Sequence, residues 1–328
     1  KGSFLLGLVV AFLSALLCAL AAYRQQFWLL LVATVVAGYY SANGQLYRFA
    51  SVELAAPSAR ERAVSMVMAG GLLGAVIGPN LAAWTRDLAT VPFVGAYLAL
   101  AIVAVIAILV LAMIRFPAPE PRRVSTGGQA EGGRPLTVIM RQPVFIVAAL
   151  AGALGYGVMN LLMAATPLAM QQCGLPFSDA ALVLEWHVIG MFAPGFFTGH
   201  LIQRFGVLTI MGIGVVLNLL CVAVALSGVE LHQFLIALFL LGVGWNFLFT
   251  GATTLSLSTY TPEEKDRAQA ALNFCVFAVM ALSSFSSGVL VTTSGWTLLN
   301  LGSLVPVLLT GAGLVWLAAR QREGRLAA

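Results

Sequence analysis

Thr34, Ser41, Gln45 and Arg48 stand seven, four and three residues apart in an apolar stretch where Arg48 is the first charge after Arg24. At 3.6 residues per turn this spacing aligns them on one helical face, with Tyr40 and Gly44 beside them. A hydroxyl, an amide and a guanidinium in one row suit an anionic or strongly polar organic group. Two readings of Arg48 stand: it meets such a group, or its long stem carries the charge to the edge of the apolar segment. Tyr156 and Asn160, four apart, and the run Trp245, Asn246, Phe249, Thr250 add aromatic faces and amides that fit an amphipathic solute. The two asparagines serve equally well as bonds between helices, worth about 1 kcal/mol each. In "LEWHVIG", Glu185 and His187 offer titratable groups for a coupling proton, or sit hydrated near an interface. There is no H-E-x-x-H spacing and no phosphate-binding loop, so neither metal-dependent hydrolysis nor nucleotide-driven work is indicated, and no cofactor or metal is expected. The four cysteines have no paired spacing.

The elements that must position these groups follow from composition. The 328 residues are 60% hydrophobic and 9% charged, with a mean hydropathy of +0.97, too little polar surface for a water-soluble globule. Runs of about 20 apolar residues cross a bilayer as helices. Ten such runs are read, at 2–22, 27–55, 63–84, 92–115, 143–171, 179–201, 207–227, 232–257, 268–291 and 297–319. With the start of the chain on the cytoplasmic side, 14 of the 17 basic residues fall in inner loops and tails, Arg24 and Arg86 fall outside, and Arg48 lies within a span. The net charge of +5 thus reports topology rather than nucleic-acid binding. Trp28, Trp84 and Trp296 take outer span ends, where interfacial aromatics belong. Both termini of this chain are expected in the cytoplasm. Residues 116–142, rich in Pro, Gly and Arg, read as a cytoplasmic linker between helical bundles at 1–115 and 143–328.

The two bundles echo each other. "ELAAPSARERA" at 53–63 recurs as "STYTPEEKDRA" at 258–268, an offset of 205 that also carries Gly7 onto Gly212 and Arg62 onto Arg267. Spans 1 and 2 then match spans 7 and 8, and spans 5 and 6 have no counterpart. The expectation is a six-plus-six protein whose first two helices precede Lys1. Spans 1, 4, 7 and 10 are free of interior charge and read as lipid-facing, while spans 2, 5, 6 and 8 carry the polar residues.

On these residues the chain resembles the major facilitator superfamily. "GHLIQRFG", with Gly199, Gln203, Arg204 and Gly206, follows the family's G-x-x-x-D-R-x-G loop, with Gln203 in place of the aspartate. The stretch holding Arg60 and Arg62, and its echo with Lys265 and Arg267, look like the loop after the fourth helix of each half. "GGLLGAVIGP", with Gly70, Gly74, Gly78 and Pro79, is similar to the fifth helix of proton-driven exporters, although Ala82 and Ala83 replace a usual glycine pair. Those three glycines also form a flat surface for close helix approach, and Pro79 a local break. Thr34 stands where many members carry an arginine linked to proton transfer, and Glu53 matches an acidic residue of the cytoplasmic charge relay. The resemblance implies an all-α polytopic membrane protein covering family helices 3 to 12 of a 6+6 pseudo-symmetric fold. It implies a secondary transporter of a small organic solute working by alternating access as a monomer in a bacterial inner membrane. Proton-coupled export is the favoured direction, with proton-coupled uptake second and a non-transporting receptor or scaffold third. Glu53, Arg60, Arg62, Gly199, Gln203, Arg204, Gly206, Lys265 and Arg267 would form the gating set. Substrate contacts would come from Arg48, Gln45, Ser41, Tyr40, Tyr156, Asn160, Trp245, Asn246 and Thr250, and proton coupling from Glu185, His187 and Arg48.

Its repeat counterpart at 253 is Thr, so the charge of Arg48 is not imposed by the shared fold. Arg48→Ala in the full-length protein should abolish solute flux at normal membrane abundance, and Arg48→Lys should keep flux only where charge, not a two-pronged contact, is what matters. Wild-type flux from Arg48→Ala across pH would make Arg48 an anchor at the headgroups.

Overall fold

The computed structural model describes residues 2–44, 47, 60–114, 116 and 133–326, and the chain divides into a unit over Lys1–Ser125 and a unit over Thr126–Ala328. In the first unit, α1 (Gly2–Tyr23) packs against α2 (Phe27–Gly44) and α4 (Val94–Met113), and α3 (Arg60–Thr85) packs on α4. Gly7 lets α1 and α2 close, since a methyl group there would lie 3.2 Å from the side chain of Asn43. Asn43 is buried, accepts from the Ser3 hydroxyl at 3.4 Å and donates to the Tyr39 carbonyl at 3.1 Å.

The second unit begins with the short α5 (Leu136–Met140) and α6 (Pro143–Gln172). It continues through α7 (Phe177–Phe192), α8 (Gly195–Phe205), α9 (Val207–Ser227), α10 (Leu231–Ser256), α11 (Lys265–Thr293) and α12 (Gly295–Leu326). Two helices sit centrally: α10 packs on α6, α7 and α9, and α6 packs on α10, α11 and α12. Their crossings are made at glycines. A methyl at Gly242 of α10 would run into the His187 carbonyl of α7 and come within 2.9 Å of the Met191 nitrogen. One at Gly190 would sit 2.8 Å from the Phe239 carbonyl, and one at Gly244 would meet the Gly214 carbonyl of α9 at 3.0 Å. Lipid is as apolar as the side chains it surrounds, so membrane helices gain from such close backbone contact rather than from leaving water. Around these crossings lies a core that includes Val158, Leu162, Met170, Met211, Leu238 and Leu241.

Among the described residues eight helices are long and apolar enough to cross a membrane, and nine if α7 and α8 count as one bent span. Eight or nine such helices are described against the ten spans expected; α3, which covers the expected span 63–84, is not among the eight. The sixth expected span, 179–201, is corrected: it is two helices meeting at 42°, broken where Pro194 removes a backbone donor. Span 2 is helical over Phe27–Gly44 and again at Tyr47, and the rest of the expected stretch to residue 55 lies outside the described residues. Trp296 is not an interfacial aromatic either. It is 7% exposed, its ring lies 5.2 Å from that of Phe234 and its indole N–H donates to the Ala225 carbonyl at 3.2 Å, whereas Trp28 and Trp84 are exposed as expected.

Gly242→Val should lower the thermal midpoint of the purified full-length protein, on the order of 1–3 kcal/mol for forced overpacking. Gly302→Ala, where a methyl meets nothing within 4 Å, should leave that midpoint unchanged or slightly raised when measured by tryptophan fluorescence in detergent.

Candidate solute site and linker clamp

Within the second unit the sequence-predicted aromatics come together. The rings of Trp245 and Phe249, one turn apart on α10, stack at 5.2 Å and 9°, and Tyr156 of α6 stands edge-on to both, at 5.3 and 5.5 Å. Phe192, from the end of α7, closes the group 6.5 Å from Trp245. The i,i+4 spacing of 245 and 249 makes the stack, and Gly155 on α6, where a methyl would lie 3.2 Å from Leu248, brings Tyr156 against it. Tyr156, Phe249 and Thr250 are half-buried, while Trp245 lies behind them at 7% exposure. Its indole nitrogen is buried with no hydrogen-bond partner among the described residues.

The amides behave differently from the aromatics. Asn246 is 4% exposed and spends both polar atoms on neighbouring helices: Nδ2 donates to the Met191 carbonyl and Oδ1 accepts from the Thr198 hydroxyl, each at 2.7 Å. Asn160 is half-buried and donates through Nδ2 to the Met280 carbonyl at 3.2 Å and the Ser283 hydroxyl at 3.1 Å, tying α6 to α11. These are the bonds that the helix-to-helix reading of both residues calls for.

On α7, His187 has no solvent exposure, and Nδ1 lies 2.7 Å from the Leu238 carbonyl. A carbonyl only accepts, so Nδ1 carries the proton there. Its Nε2 is buried and unpaired among the described residues. Glu185, two residues earlier, is half-buried and points elsewhere on the helix.

In the first unit, Thr34, Tyr40 and Ser41 are exposed on α2, and the Thr34 hydroxyl turns back to the Leu31 carbonyl at 2.8 Å. Gln45, Arg48 and Glu53 lie outside the described residues. Arg60 and Arg62 open α3. Gly70, Gly74 and Gly78 form an open face: a methyl at any of them meets nothing within 4 Å, so the close helix approach expected of them has no occupant among the described residues. Pro79 is carried inside α3 without a break.

The gating candidates of the second unit gather at one end of the bundle. Gly199, Gln203 and Arg204 are exposed on α8, with the Arg204 guanidinium 5.2 Å over the Phe205 ring. Gly206 makes the turn into α9 at φ 86°, ψ 149°, a conformation open to glycine alone. Lys265 and Arg267 are exposed at the start of α11. Between them and α10 lies an ion pair that sequence reasoning missed. Arg134, at the end of the expected linker, donates to Glu264 through its backbone N–H at 2.6 Å, Nε at 2.9 Å and an Nη at 2.8 Å, and to the Thr259 carbonyl at 2.9 Å. Glu264 is 1% exposed and also accepts from the Thr261 N–H at 3.1 Å. Gln142 donates to the same Thr259 carbonyl at 2.8 Å, and a methyl on Gly133 would lie 2.8 Å from the Glu264 side chain. The last ten residues of the expected linker are therefore part of the second unit, with α5 tucked over Phe145 and Leu272 through the buried Ile139. No periodicity signals a pair 130 residues apart.

With the fold and these groups described, comparison with known proteins decides the family. The model of the Major Facilitator Superfamily matches residues 1–186 and 149–327. The chain belongs to the major facilitator superfamily. It is 40% identical over 303 residues to the riboflavin transporter RfnT of Brucella anthropi, covering 92% of this chain and 75% of that protein. A 4-hydroxybenzoate transporter, PcaK of Pseudomonas putida, is 32% identical over 159 residues, 48% of this chain and 35% of its own length. Among solved structures, the fucose:proton symporter FucP of E. coli superposes with a TM-score of 0.58 at 18% identity, over 98% of this chain and 83% of that one, a likeness of fold alone. As a superfamily member the protein is an integral membrane transporter of small solutes, and its relatives are transporters rather than enzymes.

The clamp has a pH signature. Hydrogen bonds from Arg134 first, then the Thr261 N–H, hold the Glu264 carboxyl down to about 2 from an ordinary 4.5. A depressed carboxyl stabilises the fold fully above its unfolded value and loses that stabilisation as pH falls toward the folded one. The thermal midpoint should therefore drop between about pH 4.5 and 2, and Glu264→Gln should start lower at pH 7 and flatten this limb. An acid limb of the same slope in both proteins would assign the pH dependence to other groups.

Proposed function

We propose that this protein is a proton-coupled secondary transporter of a planar, ring-bearing organic solute in the bacterial inner membrane, working by alternating access as a monomer with both ends of this chain in the cytoplasm. The aromatic group of Tyr156, Trp245, Phe249 and Phe192 carries this reading. A flat conjugated solute stacks on half-buried rings, and the unpaired indole N–H of Trp245 supplies a donor for its carbonyl or ring nitrogen. Two relatives are named for ring-bearing solutes, riboflavin and 4-hydroxybenzoate, which makes riboflavin the first compound to test. Arg48, Gln45, Ser41, Tyr40 and Thr250 would add polar contacts. Asn160 and Asn246 contribute by holding the helices in place. For the proton, Glu185 is a better carrier than His187, because His187 is sealed from solvent and committed to the Leu238 carbonyl. Outward transport is proposed from the likeness of α3 to the fifth helix of exporters. The gating role belongs to Glu53, Arg60, Arg62, Gly199, Gln203, Arg204, Gly206, Lys265 and Arg267.

Flux of riboflavin in proteoliposomes holding the full-length protein, with and without an imposed pH gradient, tests this. Gradient-dependent flux should appear, Trp245→Leu should cut it at least tenfold, on the order of the 1.4 kcal/mol that one stacking and hydrogen-bonding partner provides, and Glu185→Gln should remove the gradient dependence. Gradient-driven accumulation in the uptake sense would reverse the direction and keep the solute class. Absence of flux for riboflavin and 4-hydroxybenzoate alike would reject the ring-bearing class, and absence of flux for every solute would favour a receptor or scaffold.

A further inference from the structure

Away from the aromatic group, α9 and α12 leave a groove of about 480 Å³ between them. Its walls are apolar apart from Thr209 and include Gly212, Val215, Leu308, Gly311 and Ala318. The groove occupies the first half of α9 and the second half of α12, near the ends of the helices that Arg204 and Arg320 flank, about the length of one leaflet. Small residues open it: a methyl at Gly212 would meet nothing within 4 Å. The face continues into charge. Gly311, Val315, Ala318 and Arg322 are four, three and four residues apart, so the exposed Arg322 extends the groove-lining face of α12 by one turn. Beside it, Arg320 holds its guanidinium 5.4 Å over the ring of Trp316, itself half-exposed, the aromatic–cation pairing that suits a membrane interface.

We propose that this groove is a binding site for one anionic phospholipid of the cytoplasmic leaflet, an acyl chain lying along Gly212, Leu308 and Gly311 and the phosphate meeting Arg322, with Arg320 alongside. An apolar slot that ends in a cation matches the chemistry of a lipid from tail to head, and a headgroup with net negative charge gains about 1 kcal/mol per arginine near the surface. A second copy of the chain would leave Arg322 facing the Arg322 of that copy's matching surface in a two-fold contact, an arrangement charge disfavours. The lipid site does not depend on the solute class proposed above.

Native mass spectrometry of the full-length protein in mild detergent, titrated with phosphatidylglycerol and with phosphatidylcholine of the same acyl chains, tests it. The wild type should retain one phosphatidylglycerol at roughly fivefold lower concentration than phosphatidylcholine, the ratio that about 1 kcal/mol provides. Arg322→Gln should erase that preference, and Gly212→Leu, which fills the groove into open space, should lower retention of both lipids. Glycerol phosphate should not compete, since it lacks the chain. Equal retention of the two lipids by the wild type, or unchanged retention in both variants, overturns the proposal. So does competition by glycerol phosphate, which would mark a free-phosphate site, or a lipid-free dimer that Gly212→Leu dissociates, which would give the groove to a second copy. Arg322 is exposed at a helix end, so Arg322→Gln reports even where Gly212→Leu fails to fold.

Discussion

Backbone-to-backbone contact at glycines is the constraint on which the second unit depends. Gly242 against the His187 carbonyl, Gly190 against Phe239 and Gly244 against Gly214 bring α7, α9 and α10 closer than any side chain allows. In lipid, dispersion and polar contacts replace the missing hydrophobic drive. Everything else on α10 takes its position from these crossings. Trp245 and Asn246 follow Gly242 and Gly244 directly, so the ring stack and the Asn246 bonds to Thr198 and Met191 are set by where the glycines permit the helices to meet.

The buried polar groups divide by whether a neighbouring helix can satisfy them. Asn246 and Asn160 find partners across helix boundaries, which removes the penalty of an unpaired amide in a medium without water. Trp245 Nε1 and His187 Nε2 find none among the described residues. A buried unsatisfied group is costly, so these two atoms weaken the bundle where the asparagines fasten it.

The end of the second unit where α10 meets α11 shows the same economy with full charges. Arg134 and Glu264 form one many-bonded pair that fastens the end of the linker to the turn between α10 and α11. Lys265 and Arg267 remain exposed beside it. Membership of the superfamily is secure from sequence and fold, whereas the solute is a property of the few side chains set on that fold, and 18% identity to a sugar symporter says nothing of it.

Much of the architecture was legible in the chain alone. Hydropathy located most of the helices to within a few residues, because a span must be apolar over the thickness of the bilayer whatever it packs against. The i,i+4 spacing of Trp245 and Phe249 already implied a shared face, and the echo at 205 residues, with "GHLIQRFG", already pointed to the superfamily. Tertiary structure alone decided the rest. It broke the span 179–201 at Pro194, turned Trp296 into the core, left the glycine face of α3 open among the described residues, bonded Asn160 and Asn246 to neighbouring helices and joined Arg134 to Glu264. The physical reason is range. Periodicity reports which side of a helix a residue occupies, but the partner that satisfies an amide or a carboxylate lies 48 to 130 residues away, and only the packed arrangement of helices brings it within 3 Å.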